Sequence, residues 1–232
     1  MLKRLLIVGT YFFIQFIGAQ DFDIDRAVVD SLYREDQFYA GVTYNLLGKA
    51  PEGVSQSGFS GGYHFGFIRD MPINNERNFA FGLGLGFSLN SFNQNLLIDK
   101  EGNGDITYEV LEDSDTYTKN KFSMYLIEAP FEIRWRTSTT TEYKFWRIYA
   151  GFKIGYLVAH TTKYRGDLGA TKNSNIENFN NLQYGLTLSA GYNTWNIHCY
   201  YALNPIFSKD ALLNGNAIDM NTIKIGLMFY IL

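Results

Sequence analysis

The sequence predicts an all-β protein: an eight-stranded antiparallel transmembrane β-barrel that follows a short N-terminal periplasmic leader. Three observations predict this fold class. Apolar residues alternate with small or polar residues over most of the chain, aromatic residues make up 17% of it, and long and short connections alternate. The 22 glycines and 19 phenylalanines fit strands that have one bulky face and one tightly packed face.

The N-terminal region predicts export. A basic start, an apolar run over residues 5–17 and small residues at Gly18-Ala19 form the pattern of a signal peptide, residues 1–19. The run is shorter than the ~20 residues of a membrane-spanning helix, which argues against a transmembrane anchor. Residues 20–36 are charged and predict a periplasmic leader, which is either one or two helical turns or a disordered tether.

From Gln37 onward, the alternation assigns residues 37–232 to the barrel. The predicted strands are 37–47, 57–68, 79–90, 121–136, 145–159, 181–193, 195–205 and 221–231. The odd-numbered connections are mostly long: 48–56, 91–120, 160–180 and 206–220. The even-numbered ones are short: 69–78, 137–144 and Thr194. This pattern and the even strand count predict long loops outside the cell and both termini in the periplasm.

The composition of the two strand faces predicts which one meets lipid. Residues 79–90 place Phe and Leu on one face and Ala, Gly, Ser and Asn on the other. A water-soluble barrel would carry Lys, Glu and Asp on its exterior, whereas small and polar residues suit the narrow interior of eight strands. We therefore predict that the bulky face points into lipid.

The three tryptophans support the same orientation. Trp135, Trp146 and Trp195 have the parity of the apolar face, and all three fall at the predicted periplasmic end. This position predicts an aromatic girdle at the membrane–water interface. The alternative is three tryptophans in the core.

Charged residues interrupt the small-residue face of the fourth and fifth predicted strands. A change of parity near Leu126–Ile127 predicts a bulge in the fourth strand. The inward charges are Glu128, Glu132, Arg134, Arg136, Arg147 and Lys153. An unpaired charge in a low-dielectric interior costs several kcal/mol, so these residues predict an ion-pair network that fills the lumen. A charged pore lining is the alternative, although eight strands leave little room for a channel.

The sequence predicts no catalytic, cofactor-binding or metal site. Asp99–Val110 is similar to a calcium loop of the EF-hand type, but Val110 stands where a bidentate Glu is needed, so a solvated acidic loop is the default. His64, His160 and His198 lack the spacing that would indicate a Ser–His–acid set. One cysteine, Cys199, allows no internal disulfide, and a net charge of −3 gives no reason to expect a nucleic-acid partner.

Three segments resemble the PorT-type outer-membrane β-barrel family of the Bacteroidetes. They are Phe38–Tyr44, Leu126–Trp135 and Gly226–Tyr230, and the likeness covers nearly the whole mature chain. The family's fourth strand typically carries Leu-Glu-Ile-Pro, whereas here Ala129 takes the place of Ile before Pro130. The resemblance implies an outer-membrane location in contact with lipid. Through its founding member it also implies a link to type IX protein secretion and gliding, with secretion or envelope proteins as partners.

The predicted filled barrel and the family resemblance together favour a non-enzymatic scaffold or assembly component. Two alternatives remain open at this point. One is a narrow channel or small-solute-binding barrel, which rests on the inward Arg134, Arg147 and Lys153. The other is a lipid- or peptide-processing enzyme at the extracellular rim, for which His160 is the candidate residue.

Overall fold

The computed structural model describes residues 36–112, 114–137 and 145–231. The predicted signal peptide, the leader up to residue 35 and residues 138–144 of the second predicted short turn lie outside these ranges. No helix within them has the length and apolar character needed to cross a membrane. The strands are β1 (Gln37–Gly48), β2 (Gly61–Pro72), β3 (Phe79–Asn93), β4 (Leu96–Lys100), β5 (Ile106–Val110), β6 (Tyr117–Arg136), β7 (Trp146–Gly166), β8 (Gly169–Ser174), β9 (Leu182–Tyr192), β10 (Trp195–Ala202), β11 (Leu212–Leu213), β12 (Asn216–Ala217) and β13 (Asn221–Ile231).

Eight of these strands form a closed antiparallel barrel, which confirms the predicted fold class. Their order around the barrel is β6, β3, β2, β1, β13, β10, β9 and β7, and the pairing of β6 with β7 closes it. Closure leaves no free edge among the eight strands, as a membrane-spanning sheet requires. We call the end that carries the turns β2–β3 and β9–β10 the short-turn end, and the opposite end the long-loop end.

Three strands differ most from their predicted bounds. β2 covers Gly61–Pro72 rather than 57–68, because its alternation continues as far as the fully buried Asp70. β6 and β7 are 20 and 21 residues long and extend past their neighbours at the long-loop end. There the last part of β7 pairs with β8.

The predicted bulge in the fourth barrel strand is wrong in position. β6 keeps one alternation along its length, and its even-numbered residues face inward on both sides of Leu126. The register shifts where Tyr125 pairs with Ala159 and Leu126 with Leu157, so the additional residue is Val158 of β7. The inward residues of β6 just before and including Leu126 are apolar, and those after it are mostly charged. In the sequence, this change in composition on one face has the same pattern as a switch of faces.

The outward faces of the barrel strands form a continuous apolar band, which we call the lipid belt. Its residues include Phe38, Phe65, Leu85, Ile133, Leu188, Ile197 and Ile225. Leu85, in the middle of β3, is 65% exposed. An apolar surface that encircles a protein is far larger than the patches found on soluble monomers, and it matches the band of a transmembrane barrel. Towards the long-loop end the outward residues become polar, at Ser91, Ser123 and Thr161.

The long loops fold over the barrel as an apolar cap. They contain two hairpins, β4–β5 and β11–β12. They pack against inward-facing residues of β3, β6 and β7 near the long-loop end. The cap comprises Val54, Phe92, Leu96, Ile98, Phe122, Met124, Leu126, Leu157, Ile176, Phe179, Ile206, Phe207, Ala211, Leu213, Ile218 and Met220. Ring centroids of Phe122 lie 4.8 Å from Phe92 and 5.8 Å from Phe207. Burial of these side chains stabilises the loops as a folded unit.

Candidate functional site

The lumen at the short-turn end holds a buried charge cluster centred on Asp70. Arg136 donates two hydrogen bonds to this carboxylate, at 2.8 and 2.9 Å, and Arg134 donates a third at 3.1 Å. The Nε atom of Arg134 also lies 3.0 Å from Glu132, and its Nη2 atom donates to the side chain of Gln37 at 3.1 Å. Two guanidinium groups and two carboxylates thus compensate each other away from water.

A second cluster lies nearer the middle of the barrel, around Glu128. Its carboxylate is 3.1 Å from Lys153 Nζ and 3.8 Å from Lys224 Nζ, and it accepts a 2.8 Å hydrogen bond from Ser88. The Nδ1 atom of His64 lies 3.7 Å away. Both ammonium groups lie over one buried ring, that of Tyr200, at 5.4 and 4.9 Å from its centroid.

Arg147 differs from the other inward charges that the sequence indicates. Its guanidinium lies 4.5 Å from the centre of the Phe145 ring and 5.8 Å from that of Tyr230. Within the described ranges its Nε and Nη1 atoms have no hydrogen-bond partner. The structure therefore brings Glu128 together with Lys153 and Glu132 together with Arg134, but leaves Arg147 against aromatic rings.

Small residues on the inner face make room for large buried ones. A Cβ atom added at Gly86 would overlap the hydroxyl of Tyr39, and one at Gly66 would lie 2.6 Å from it. Tyr39 is 4% exposed and packs with Ile68, Tyr149, Met228 and Tyr230 between the two charge clusters. The glycines that alternate with Phe and Leu therefore admit large side chains from neighbouring strands.

Two cavities in the described part of the lumen are very small. One cavity, beside Glu128 and Lys224, has a volume of about 10 Å³, and another, beside Glu132 and His198, has the same volume. A single water molecule needs at least about 10–15 Å³. These cavities are far too small for a solute.

The three histidines are all buried. Ser189 Oγ and His198 Nδ1 lie 2.7 Å apart, but both residues are 2% exposed, and His198 Nε2 has no hydrogen-bond partner in the described chain. A Ser–His–acid set would need an acid partner for the imidazole and space for a substrate. His160 is buried in the cap region, where its ring stacks on Phe179 at 4.2 Å.

The segment that is similar to a calcium loop forms the hairpin β4–β5. Its tip is closed by hydrogen bonds between Asn103 and Asp105, and Asp99 accepts a 3.0 Å bond from Asn173. Val110, at the position of the bidentate ligand, pairs with Leu96 at the base of the hairpin. Within residues 36–112, 114–137 and 145–231, no group of three or more His, Cys, Asp or Glu side chains could hold a metal ion.

The three tryptophans lie at the short-turn end, on the outward face. Trp146 and Trp195 are 61% and 62% exposed. Trp146 packs on Tyr192 at a centroid distance of 5.3 Å, and Trp195 on Phe229 at 4.7 Å. Trp135 pairs with Phe79, the first residue of β3, which also lies at the short-turn end.

Sequence reasoning missed three residues of the charge clusters. Asp70 fell within a predicted turn, although it has the same parity as the inward His64, and this parity was the signal that could have located it. Lys224 has the inward parity of the last strand, but no local signal connects it with Glu128, which lies 96 positions earlier. Gln37 begins the first strand and carries no local signal of its partner.

A closed barrel with an apolar exterior and a filled polar interior defines a small membrane-spanning β-barrel protein. The family described as "Outer membrane protein beta-barrel domain" matches residues 19–208, and the chain belongs to this family. Its location is the outer membrane, where the lipid belt contacts membrane lipid.

Comparison with solved structures finds barrels of low similarity. The attachment invasion locus protein Ail of Yersinia pestis, in complex with the heparin analogue sucrose octasulfate, is 13% identical, with a TM-score of 0.35 over 85% of this chain and 99% of that one. A second Ail structure is 13% identical, with a TM-score of 0.34 over 84% and 97%. No curated protein matches the sequence significantly.

Proposed function

We propose that the protein is a non-enzymatic scaffold of the outer membrane that does not conduct and that offers its capped long-loop end to partner proteins. The observation that carries this proposal is the filled lumen. Two ion clusters, the layer of Tyr39 and Tyr230 between them, and the apolar cap occupy successive levels of the barrel. A barrel whose interior is occupied in this way acts through its surfaces.

The same proposal includes a topology. The long-loop end faces outside the cell, the signal peptide (residues 1–19) is removed on export, and the leader (residues 20–36) lies in the periplasm. The lengths of the connections support this orientation, because outer-membrane barrels have short periplasmic turns and longer extracellular loops. The aromatic rings at the short-turn end mark a membrane–water interface at that end. In this arrangement the lumen clusters of Glu128 and Asp70 are structural, and Trp135, Trp146 and Trp195 anchor the barrel at the periplasmic interface.

We expect no steady conductance when the protein is reconstituted in planar lipid bilayers. An ion that crossed the barrel would have to displace the Glu128–Lys153 pair and the apolar cap, and the cavities beside them hold at most about one water molecule each. Single-channel recording tests this directly, with insertion verified by the heat-dependent mobility of the folded barrel. Stable open-state currents from inserted protein would support the narrow-channel alternative instead.

We further propose that the scaffold is an assembly component of type IX protein secretion. The resemblance of Phe38–Tyr44 and Leu126–Trp135 to the PorT-type family supports this finer role. Deletion of the gene is expected to abolish export of type IX substrates to the culture medium, and a plasmid copy of the wild-type gene is expected to restore it. Normal export in the deletion strain would show that the protein is not required for type IX secretion, and the scaffold role would then have no link to secretion.

A further inference from the structure

Five cations form a like-charge ladder on the outward face, directly beyond the lipid belt. Lys121 of β6 pairs across the sheet with Lys163 of β7, which pairs in turn with Lys172 of β8. Next to them, Lys119 pairs with Arg165. Residues directly opposite in an antiparallel pair share a face, and like charges in such positions destabilise a sheet. The arrangement therefore costs stability unless an anion offsets it.

No carboxylate of the described chain lies within 4 Å of these cations. The ion pairs found within the described ranges lie in the lumen, and none includes a member of this ladder. Lys121, which pairs across the sheet with the cation Lys163, is half-buried. Its ammonium group donates a 3.4 Å hydrogen bond to the hydroxyl of Ser91.

A groove of about 200 Å³ lies beside Lys121, where the lipid belt ends. Ser91 and Ser123 pair opposite each other on β3 and β6, and Gly61 adds no side chain. These small residues leave a hollow whose polar side carries two hydroxyls and the ammonium group. The other side is lined by Tyr63, Leu89 and Tyr125, which pair across three adjacent strands and continue into the lipid belt.

We propose that the groove and the ladder bind the phosphorylated headgroup of a lipid in the leaflet that surrounds the long-loop end. A phosphate accepts hydrogen bonds from ammonium and hydroxyl groups, and Lys121, Ser91 and Ser123 supply both kinds of donor. The ladder attracts further negative charge, as basic clusters beside a membrane do. The side of the groove lined by Tyr63, Leu89 and Tyr125 favours a lipid over a soluble anion, because it continues into the lipid belt, where the acyl chains of a bound lipid would lie.

Binding of diphosphoryl lipid A to the protein in detergent micelles tests this inference, with native mass spectrometry as the measurement. The wild type is expected to bind this lipid and to bind its dephosphorylated form much more weakly. The variant K121Q/K163Q is expected to bind diphosphoryl lipid A about 30-fold more weakly, since each cation near an anionic membrane surface contributes about fivefold in affinity. Its thermal stability is expected to be unchanged or higher, because two repulsive neighbours are removed.

The matched control is K49Q/K209Q, which removes the same charge from exposed positions off the ladder and is expected to bind like the wild type. The variant S91L fills the groove without changing charge and is expected to weaken lipid binding. Equal binding by K121Q/K163Q and the wild type would overturn the proposal. Equal affinity for the dephosphorylated lipid, or displacement by inorganic pyrophosphate at concentrations similar to that of the lipid, would overturn it as well. The result does not depend on a protein partner, so it is independent of the scaffold role.

Discussion

Replacing Leu85 with Arg is expected to lower the free energy of unfolding in lipid vesicles by about 2–4 kcal/mol, the cost of a cation near the bilayer midplane. Leu85 lies at the centre of β3, is 65% exposed and pairs with the outward Phe67 of β2. On the surface of a soluble protein the same change would be close to neutral. Urea titration followed by tryptophan fluorescence measures the difference.

Leu212→Arg provides the matched control. Leu212 is 49% exposed, but it belongs to the hairpin β11–β12 in the long-loop region, outside the lipid belt. The same substitution there is expected to change stability by less than about 0.5 kcal/mol. If both variants kept wild-type stability and the protein remained soluble without detergent, the outward face would not contact lipid.

Replacing Asp70 with Asn is expected to destabilise the barrel by about 3–5 kcal/mol, the largest effect we expect from a single lumen residue. The substitution preserves shape but removes the negative charge that faces Arg134 and Arg136. Both guanidinium groups are completely buried, so neither can recover its solvation without opening the barrel. The midpoint of urea unfolding and the temperature at which the folded form disappears on gels measure the loss.

Asp210→Asn removes a carboxylate charge from an exposed position in the long-loop region and is expected to leave both midpoints unchanged. The double variant D70N/R136Q is expected to be more stable than D70N alone, because it removes one of the two guanidinium groups that lose the charge of Asp70. Such coupling is the signature of direct interaction between neighbours. An additive double variant, or a D70N midpoint equal to that of the wild type, would show that the Asp70 cluster does not stabilise the barrel.

The barrel itself could be predicted because its main signal is local. Alternation such as Leu85–Gly86 specifies the outward and inward faces within each strand, whatever its neighbours are. The contrast between bulky and small residues then identifies the lipid-facing side. The parity of Glu128, Glu132, Arg134, Arg147 and Lys153 likewise placed them on the inner face, and all five are buried there.

The partners of these charges could not be predicted, because they come from distant strands. Glu128 reaches Lys224 only after the last strand returns to the barrel, and Asp70 lies in a segment whose turn was placed too early. The inward direction of Phe122 and Leu126 could not be predicted for the same reason. Their inward direction depends on an apolar cap built from four separate loops, so the sequence pattern indicated a bulge that lies instead at Val158.

The sequence by itself therefore determined the fold class, the number of barrel strands and the face of each strand that meets lipid. These properties follow from a period of two that each strand carries within its own residues. The tertiary structure alone decided that Asp70 binds two arginines, that Arg147 lies against aromatic rings, and that the long loops close one end of the barrel. Those outcomes depend on strand register and on contacts between segments far apart in the chain, which local periodicity does not encode.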